Sequence, residues 1–153
     1  MRIINVKIKN QNVKLWSRFV TIFMNILTID FGTKRIGLAW TNTEVGVVLP
    51  FGQIKEQKAK SKEQILVELI DREKIDKVII GMPLGLDGED NPNTERVKKF
   101  ANELRNATTV SVELFDERFS SGQADAMGGR ATRDEKAAMV ILQGYLDKQK
   151  NII

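Results

Sequence analysis

Residues 24–41 read Met-Asn-Ile-Leu-Thr-Ile-Asp-Phe-Gly-Thr-Lys-Arg-Ile-Gly-Leu-Ala-Trp-Thr, and this stretch is the most informative part of the sequence. Its first half is a short apolar run of strand-forming residues, long enough for one buried strand, that ends on Asp30. Gly32 then allows a sharp turn, and the alternation from Ile36 to Thr41 predicts a second strand. A buried acid is costly unless it is paired or bound to a metal. Asp30 is therefore the first candidate for chemistry.

The composition narrows the possible chemistry. A chain of 153 residues fits one domain with a proper core. It contains no Cys and no His, which excludes zinc–thiolate sites, cysteine nucleophiles, Ser-His-Asp triads and a histidine general base. An enzyme of this composition would rely on carboxylates, Lys, Arg, hydroxyls or a hard cation, and oxygen-ligated Mg²⁺ or Mn²⁺ fits best. No apolar run approaches the roughly 20 residues that a membrane span needs.

The positive charge is concentrated at the N-terminus. Residues 1–23 hold five of the 24 basic side chains and no acid, which leaves 19 basic against 20 acidic residues in the rest of the chain. A polyanion site must therefore be a local patch. We interpret residues 1–23 as a basic extension, disordered or loosely docked, or as the product of a start codon upstream of Met24. A targeting segment is the third possibility, although the stretch is not Ser-rich.

After the first two strands, helices and strands alternate. The predicted elements are a strand over Val45–Ile54 with Pro50 indicating an edge, a helix opened by a Ser61–Gln64 capping box, a buried strand over Lys77–Gly81, a helix capped by Thr94, a strand over Val110–Phe115, a short helix from Ser120 to Gly128-Gly129, and a last helix from Thr132 or Asp134 to about Lys148. This order predicts an α/β domain over residues 24–150. Its five-stranded mixed sheet would combine a three-strand antiparallel meander with parallel strands and be flanked by helices.

Acids occupy special positions in this pattern. Asp30 ends the first strand, Asp116 and Glu117 end the fifth, and Asp134 lies in the first turn of the last helix. Asp134 is in register with the apolar stripe of that helix, so it should face the core. Carboxylates that converge at one place repel each other without a cation. Two bound metal ions about 4 Å apart could activate water and stabilise the leaving oxygen of a phosphodiester.

Each acid also has a simpler interpretation. Asp30 could merely begin a turn, and Asp134 could complement the helix dipole beside a Thr132–Glu135 capping box. Asp116 and Glu117 could be a solvated strand end paired with Arg118. Lys34 and Arg35 could likewise be ordinary turn residues, or they could hold phosphates together with Arg118.

Four motifs in order over residues 24–148 resemble the YqgF (RuvX) family. They are Ile29-Asp30-Phe31-Gly32-Thr33-Lys34-Arg35-Ile36-Gly37-Leu38-Ala39; Val78-Ile79-Ile80-Gly81-Met82-Pro83-Leu84 with Asp87-Gly88; Asp116-Glu117-Arg118-Phe119-Ser120-Ser121; and Asp134 with Ala137-Ala138, Ile141-Leu142-Gln143 and Tyr145-Leu146. Phe119 replaces the usual Leu and Ser121 the usual Thr. Residues 1–23 have no counterpart in the family pattern.

The resemblance implies an RNase H-like fold and a divalent-metal nuclease that acts in the bacterial cytoplasm. Members are described as pre-16S rRNA nucleases and as Holliday junction resolvase-like proteins. Asp30, Glu117 and Asp134 would form the catalytic, metal-binding triad for Mg²⁺ or Mn²⁺, with Asp116 as the alternative ligand. The substrate-binding residues predicted beside them are Lys34, Arg35, Arg118, Ser120 and Ser121.

Structured nucleic acid is thus the expected substrate. The favoured function is processing of the pre-16S rRNA 5′ end in ribosome biogenesis. Holliday junction resolution in recombination and repair is the alternative. It is less favoured than RNA processing because it needs two coordinated active sites, and no dimer interface is evident in the sequence. A nucleic-acid-binding module without catalysis is a third hypothesis. Actin-like ATPases use a similar strand–Asp-x-Gly-Thr–strand hairpin, but they need two such domains, and this chain has room for one.

Overall fold

The computed structural model describes residues 2–4, 20–85, 88–119 and 129–151. Its elements, in chain order, are β1 (Arg2–Ile4), β2 (Val20–Ile22), β3 (Asn25–Phe31), β4 (Arg35–Asn42), β5 (Leu49–Lys55), α1 (Lys62–Arg72), β6 (Lys77–Met82), α2 (Pro92–Ala107), β7 (Ser111–Asp116), a 3₁₀ turn (Glu117–Phe119) and α3 (Arg133–Lys150). The short helix predicted from Ser120 to Gly128 lies outside the described residues.

Five strands form one mixed sheet in the order β5-β4-β3-β6-β7. β3, β4 and β5 make an antiparallel meander, β6 runs parallel to β3, and β7 runs parallel to β6. The predicted five-stranded sheet is confirmed. Because β3, β6 and β7 are parallel, their carboxyl ends meet at one edge of the sheet, which we call the carboxyl edge.

β3 lies at the centre of the sheet and has helices on both sides. Leu27 and Ile29 are fully buried among side chains of α1 and α2, whereas Ile26 packs with side chains of α3. Because side chains alternate along a strand, Asp30 projects on the same face as Ile26, toward α3. The alternation thus places this acid under a helix rather than in open solvent.

The third strand begins later than the sequence predicts. Instead of starting at Val45, β5 starts at Leu49, because residues 43–46 form a turn in which the Asn42 carbonyl accepts from the N–H groups of Val45 and Gly46. Gly46 has a φ of +69°, a conformation that favours glycine. β5 is an edge strand, as Pro50 indicates.

The cap of α2 also differs from the prediction. The N-cap is Asn91, whose side chain accepts from the N–H groups of Asn93 and Thr94, and Pro92 occupies the first helical position. Thr94 lies three residues further on and completes the capping box, and its hydroxyl donates to the Pro83 carbonyl at 2.8 Å. Thr94 is therefore the N3 residue of the capping box rather than the N-cap, and it also ties the preceding loop to the helix.

Capping boxes open the other two helices. Ser61 with Gln64 begins α1, as predicted, and Thr132 with Glu135 begins α3. Glu135 also accepts from the Gly52 N–H at 2.8 Å, so the first turn of α3 is bonded to the edge strand β5. The start of α3 is thereby fixed relative to the sheet.

A buried lysine holds the far half of α3 against the sheet. The Lys77 side chain is only 5% exposed, and its Nζ lies 2.9 Å from Glu113 Oε1 and 3.3 Å from the Tyr145 hydroxyl. That hydroxyl donates to Glu113 Oε2 at 3.3 Å. A buried charge needs such partners, so this cluster connects β6, β7 and α3.

Near the N-terminus, β1 and β2 pair antiparallel as a separate two-stranded sheet, which the sequence analysis does not predict. Most of residues 1–23 lie outside the described residues, so their interpretation as a loosely attached extension stays a prediction, as does the domain boundary near residue 24. In the described part of the chain, no helix combines the length and apolar character needed to cross a membrane.

Candidate active site

Acids from three distant parts of the chain lie at the carboxyl edge on the α3 face. Asp30 is the penultimate residue of β3, Glu117 directly follows β7, and Asp134 lies in the first turn of α3. Asp30 interacts electrostatically with both other acids. The topology therefore makes Asp30 the common neighbour of the two, while the catalytic role of the three residues stays a prediction.

The environment of Asp30 disfavours its charged form. Burial, and secondarily the charge of Asp134, raise the pKa of Asp30 from 3.8 to about 6. The fold thus maintains an acid where ionisation is costly. Perturbed acids of this kind cluster at functional sites.

Glu117 is perturbed in the same direction. Burial, followed by the charges of Asp30 and Asp116, raises the pKa of Glu117 from 4.5 to about 7. A glycine on the neighbouring strand makes room for this carboxylate, because a Cβ added to Gly81 would lie 2.8 Å from Glu117 Oε2 and 2.5 Å from Ile141 Cδ1. Sequence reasoning did not assign that role to Gly81.

Asp134 is placed by the buried face of α3. Ala138, Ile141 and Tyr145, on the same face as Asp134, are all buried, so the predicted register of this helix is confirmed. The Asp134 carboxylate lies 3.3 Å from the Nε of Arg35. Arg35 therefore neutralises this acid in the structure.

A second glycine determines how closely α3 approaches the sheet. An added Cβ at Gly37 of β4 would lie 2.0 Å from the backbone oxygen of Asp134. Gly37 pairs directly with Asp30 in the antiparallel ladder. The missing side chain therefore allows the first turn of α3 to lie beside Asp30.

Asp116 differs from its neighbour. Its Oδ2 accepts from Arg118 Nε at 2.9 Å and Nη2 at 2.6 Å, and its Oδ1 accepts from the Arg118 backbone N–H at 3.0 Å. These hydrogen bonds hold the pKa of Asp116 below its ordinary value. Successive side chains along a strand point to opposite faces, so Asp116 and Glu117 project to different sides of the sheet. The carboxylate of Asp116 is in addition already paired with Arg118.

The three acids offer carboxylate oxygens, the ligands that Mg²⁺ and Mn²⁺ prefer. Two of the acids gain most from a nearby cation, because their pKa values are raised. No three acids in the described part of the chain are close enough to make a metal-binding group. The chemistry of these oxygen ligands thus fits a hard cation. In the structure Asp30 and Glu117 interact electrostatically with each other, whereas Asp134 is paired with Arg35.

The predicted phosphate-binding cations surround these acids. Lys34 lies in the turn between β3 and β4, Arg35 begins β4, and both side chains are exposed. Arg118 lies against the loop before α2, since a Cβ added to Gly88 would be 2.8 Å from its Nη1. Ser120 and Ser121 lie outside the described residues.

One polar side chain near the site was missed by sequence reasoning. Gly37 pairs with Asp30 on one side and with Gln53 on the other, so the three residues form a row across β3, β4 and β5. The Oε1 of Gln53 is buried and has no hydrogen-bond partner. The strand register could have revealed this row, but the register shifts between Gly37 and Ala39, which sequence alone does not indicate.

The chain is similar to known proteins over most of its length. The profile of the RuvX family, described as Holliday junction resolvase, matches residues 24–148. A protein of Maridesulfovibrio salexigens is 35% identical over 132 residues, covering 80% of this chain and 98% of that protein. A protein of Bordetella avium is 38% identical over 124 residues, covering 80% and 95%. Both are named, provisionally, pre-16S rRNA nuclease.

Solved structures share the fold at low sequence identity. Thermus thermophilus RuvC, in complex with a Holliday junction substrate, matches with a TM-score of 0.57 at 12% identity, covering 83% of this chain and 96% of that one. The Fowlpox virus resolvase, in complex with Holliday junction DNA, matches with a TM-score of 0.54 at 16% identity, covering 82% and 99%. These neighbours have the RNase H-like fold, which confirms the predicted fold class.

Proposed function

Because the chain belongs to the RuvX family, a family of nucleases, we propose that it is a metal-dependent endonuclease that processes the 5′ end of pre-16S rRNA. The observation that carries the proposal is the electrostatic coupling of Asp30 to both Glu117 and Asp134 at one edge of the sheet. The names of the relatives support the RNA substrate. The proposed compartment is the cytoplasm, where ribosomes are assembled.

Asp30 and Glu117 would hold the cation, which we propose to be Mg²⁺ or Mn²⁺, and Asp134 would complete the site once Arg35 releases its carboxylate. The chemistry supplied by such an ion is stabilisation of the phosphoryl oxygens and a lowered pKa for the attacking water. Asp30 is the proposed shared ligand because it is coupled to each of the others. Both perturbed acids must lose their protons to act as ligands, so binding would weaken as the pH falls below about 7.

The basic side chains around the acids would position the substrate. Lys34 and Arg35, at the exposed turn, would contact phosphates beside the scissile bond. Arg35 would exchange Asp134 for a phosphate, because a guanidinium binds both groups in the same forked geometry. Arg118, oriented by Asp116 and adjacent to Gly88, would contact the substrate from the other side, together with Ser120 and Ser121.

A second candidate function is cleavage of four-way DNA junctions. The family is described as Holliday junction resolvase, and the two structural neighbours were solved with Holliday junction DNA, which favours this function. The two functions would use the same carboxylates, because both hydrolyse a phosphodiester. They differ in the substrate that must fit around them.

The test is a direct comparison of substrates. Purified protein would be incubated with a pre-rRNA leader and with a synthetic four-way junction, each with Mn²⁺, with Mg²⁺ and with EDTA. We expect metal-dependent cutting of the RNA leader and no cutting in EDTA. Cutting of the junction alone would favour the second function. Binding without cutting in either metal would identify a non-catalytic module, and activity that persists in EDTA would refute the metal mechanism.

Separate substitutions distinguish the two neighbouring acids. Glu117→Gln should reduce cleavage by more than the 10- to 100-fold typical of outer-shell partners of a metal. Asp116→Asn should have a smaller effect, because Asp116 is paired with Arg118 and is proposed to act only through that side chain. Mn²⁺ affinity, measured by isothermal titration calorimetry, should fall strongly only in the Glu117 variant. The reverse order would make Asp116 the ligand.

A further inference from the structure

A cavity of about 490 Å³ lies on the other face of the sheet, opposite α3. Its wall is formed by the turn after β3, the connection from β5 to α1, the first turn of α1 and one side of α2. We call it the α1–α2 cavity. None of the predicted acids or phosphate-binding cations lines it.

The cavity begins where the candidate active site ends. Phe31 follows Asp30 directly but projects to the opposite face, where its ring stacks on Phe100 at a centroid distance of 4.4 Å. Lys62 donates to the backbone carbonyl of Thr33 and lies 5.7 Å from the centre of the Phe31 ring. The turn that carries Lys34 and Arg35 therefore separates the carboxylates from the cavity by only a few residues.

The lining is rich in cations that have few internal partners. Its basic residues are Lys58, Lys60, Lys62, Arg96 and Lys99. Lys60 is paired with Glu68, whereas the Nζ of Lys99 lies 4.0 Å from the Oε1 of Glu103, which is a weak ion pair. In the described part of the chain, neither Lys58 nor Arg96 forms an ion pair, and both are exposed. Arg96 donates only a long hydrogen bond, of 3.5 Å, to Asn93 Oδ1, so neither cation has to give up an ion pair to bind an external anion.

Two further features define the ligand. The lining includes the glutamates Glu56, Glu63 and Glu103, so the cations stand as separate positive points rather than as a uniform field. The first turn of α1, capped by Ser61, adds its partial positive charge at the cavity wall. A chain of separate phosphates matches this pattern better than a flat anionic membrane surface, because each phosphate can approach one cation.

We propose that the α1–α2 cavity is a second phosphate-binding site, which holds the backbone of the nucleic-acid substrate on one side of the cleavage point. This inference rests on the proposed nuclease function and extends it to the path of the strand. The strand runs from the carboxylates over the turn with Lys34 and Arg35 and continues to Lys58, Arg96 and Lys99. These contacts position the substrate and read no sequence.

The test measures the salt dependence of binding. The triple variant Lys58→Gln/Arg96→Gln/Lys99→Gln would be compared with the parent protein, both carrying Asp30→Asn so that cleavage does not interfere. Binding of a fluorescent pre-rRNA leader would be followed by anisotropy across a KCl series in EDTA. In a plot of the logarithm of the binding constant against the logarithm of the salt concentration, each lost phosphate contact reduces the steepness by about 0.7 for single strands and 0.9 for duplex. For three lost contacts we therefore expect a reduction of about two to three, and at least tenfold weaker binding.

A matched control removes the same charges elsewhere. Arg72, Lys74 and Arg105 are exposed and precede β6 and β7, so they lie at the opposite edge of the sheet from the carboxyl edge. Changing all three to Gln should leave the slope within about 0.5 of the parent value. Thermal unfolding of both triple variants would verify that the exposed substitutions leave the fold intact.

The outcomes separate the inference from the proposed function. If the chain without these substitutions cuts RNA and the cavity variant keeps the parent slope, the cavity proposal is overturned and the nuclease function stands. If the parent neither binds nor cuts nucleic acid, both are overturned. If the substitutions abolish binding of AMP or inorganic phosphate but leave the RNA slope unchanged, the cavity is a small-anion site and the proposal is wrong.

Discussion

Asp30→Asn should abolish cleavage and at the same time stabilise the folded protein at neutral pH. The loss of activity should exceed 100-fold, because Asp30 is the proposed ligand shared by the other two acids. The gain in stability follows from burial, since the neutral amide removes a charge that the fold holds at a pKa of about 6 instead of 3.8. That difference corresponds to about 2–3 kcal/mol at pH 7–8.

The raised pKa of Asp30 determines how the stability of the folded protein changes with pH. The folded-state pKa of Asp30 lies above the unfolded value, so the folded state binds the proton more tightly. The resulting contribution to stability is complete below about pH 4 and is lost as the pH rises through about 6. Glu117 acts in the same direction, with loss as the pH rises through about 7. The parent protein should therefore lose stability between pH 5 and 8, and the Asp30 variant should lose less.

Urea unfolding at pH 5 and pH 8 in EDTA would measure this difference. Asp71→Asn, an exposed residue on α1, is the matched control, and it should change stability by less than about 0.5 kcal/mol at either pH. A destabilised Asp30 variant at pH 8 would show that the carboxylate is stabilised by contacts rather than opposed by burial. Retained cleavage would remove Asp30 from the proposed metal site.

Gly37→Ala should be severely destabilising and should also impair cleavage. The new methyl group would lie 2.0 Å from the backbone oxygen of Asp134 and 2.4 Å from its carbonyl carbon. Neither atom can rotate away, so the first turn of α3 must move. Overpacking of this kind costs about 1–3 kcal/mol, and because the contacted atoms are all backbone atoms of Asp134, we expect this substitution to cost about 3 kcal/mol or more.

Gly46→Ala provides the control for a glycine substitution without a collision. A Cβ at Gly46 meets nothing within 4 Å, but its φ of +69° is unfavourable for alanine, so a cost of about 1 kcal/mol is expected. Denaturant unfolding would compare the two variants, and cleavage assays well below their midpoints would report on the site. If both variants lose the same free energy of unfolding, α3 can shift without cost. If the Gly37 variant keeps full activity, catalysis does not depend on the position of Asp134.

Local sequence patterns were sufficient where the physics is local. The apolar run ending at Asp30, the buried Lys77–Gly81 strand and the Ser61–Gln64 capping box each predict their element correctly, because burial and capping depend on neighbouring residues. The start of β5 and the cap of α2 were misjudged. In each case a nearby side chain or turn, at Asn42 or Asn91, offered backbone hydrogen bonds that compete with the predicted element.

The candidate site was only partly accessible from sequence. Strand ends and helix register indicated which acids could meet, but Arg35 pairs with Asp134 and Arg118 with Asp116 through side-chain conformations that no spacing reveals. Gln53 enters the row beside Asp30 only through the register of three strands. The space for Glu117 above Gly81 depends on tertiary packing as well.

Helix α3 contacts the sheet near both of its ends, and these contacts constrain the number of residues between them. The Asp134 backbone rests on Gly37, and Tyr145 bonds to Lys77 eleven residues later, a span of about three helical turns. Inserting or deleting one residue between them would rotate one attachment by about 100° relative to the other. The spacing is therefore as much a requirement of this protein as the identity of the residues, and variation in chain length has to fall in the loops.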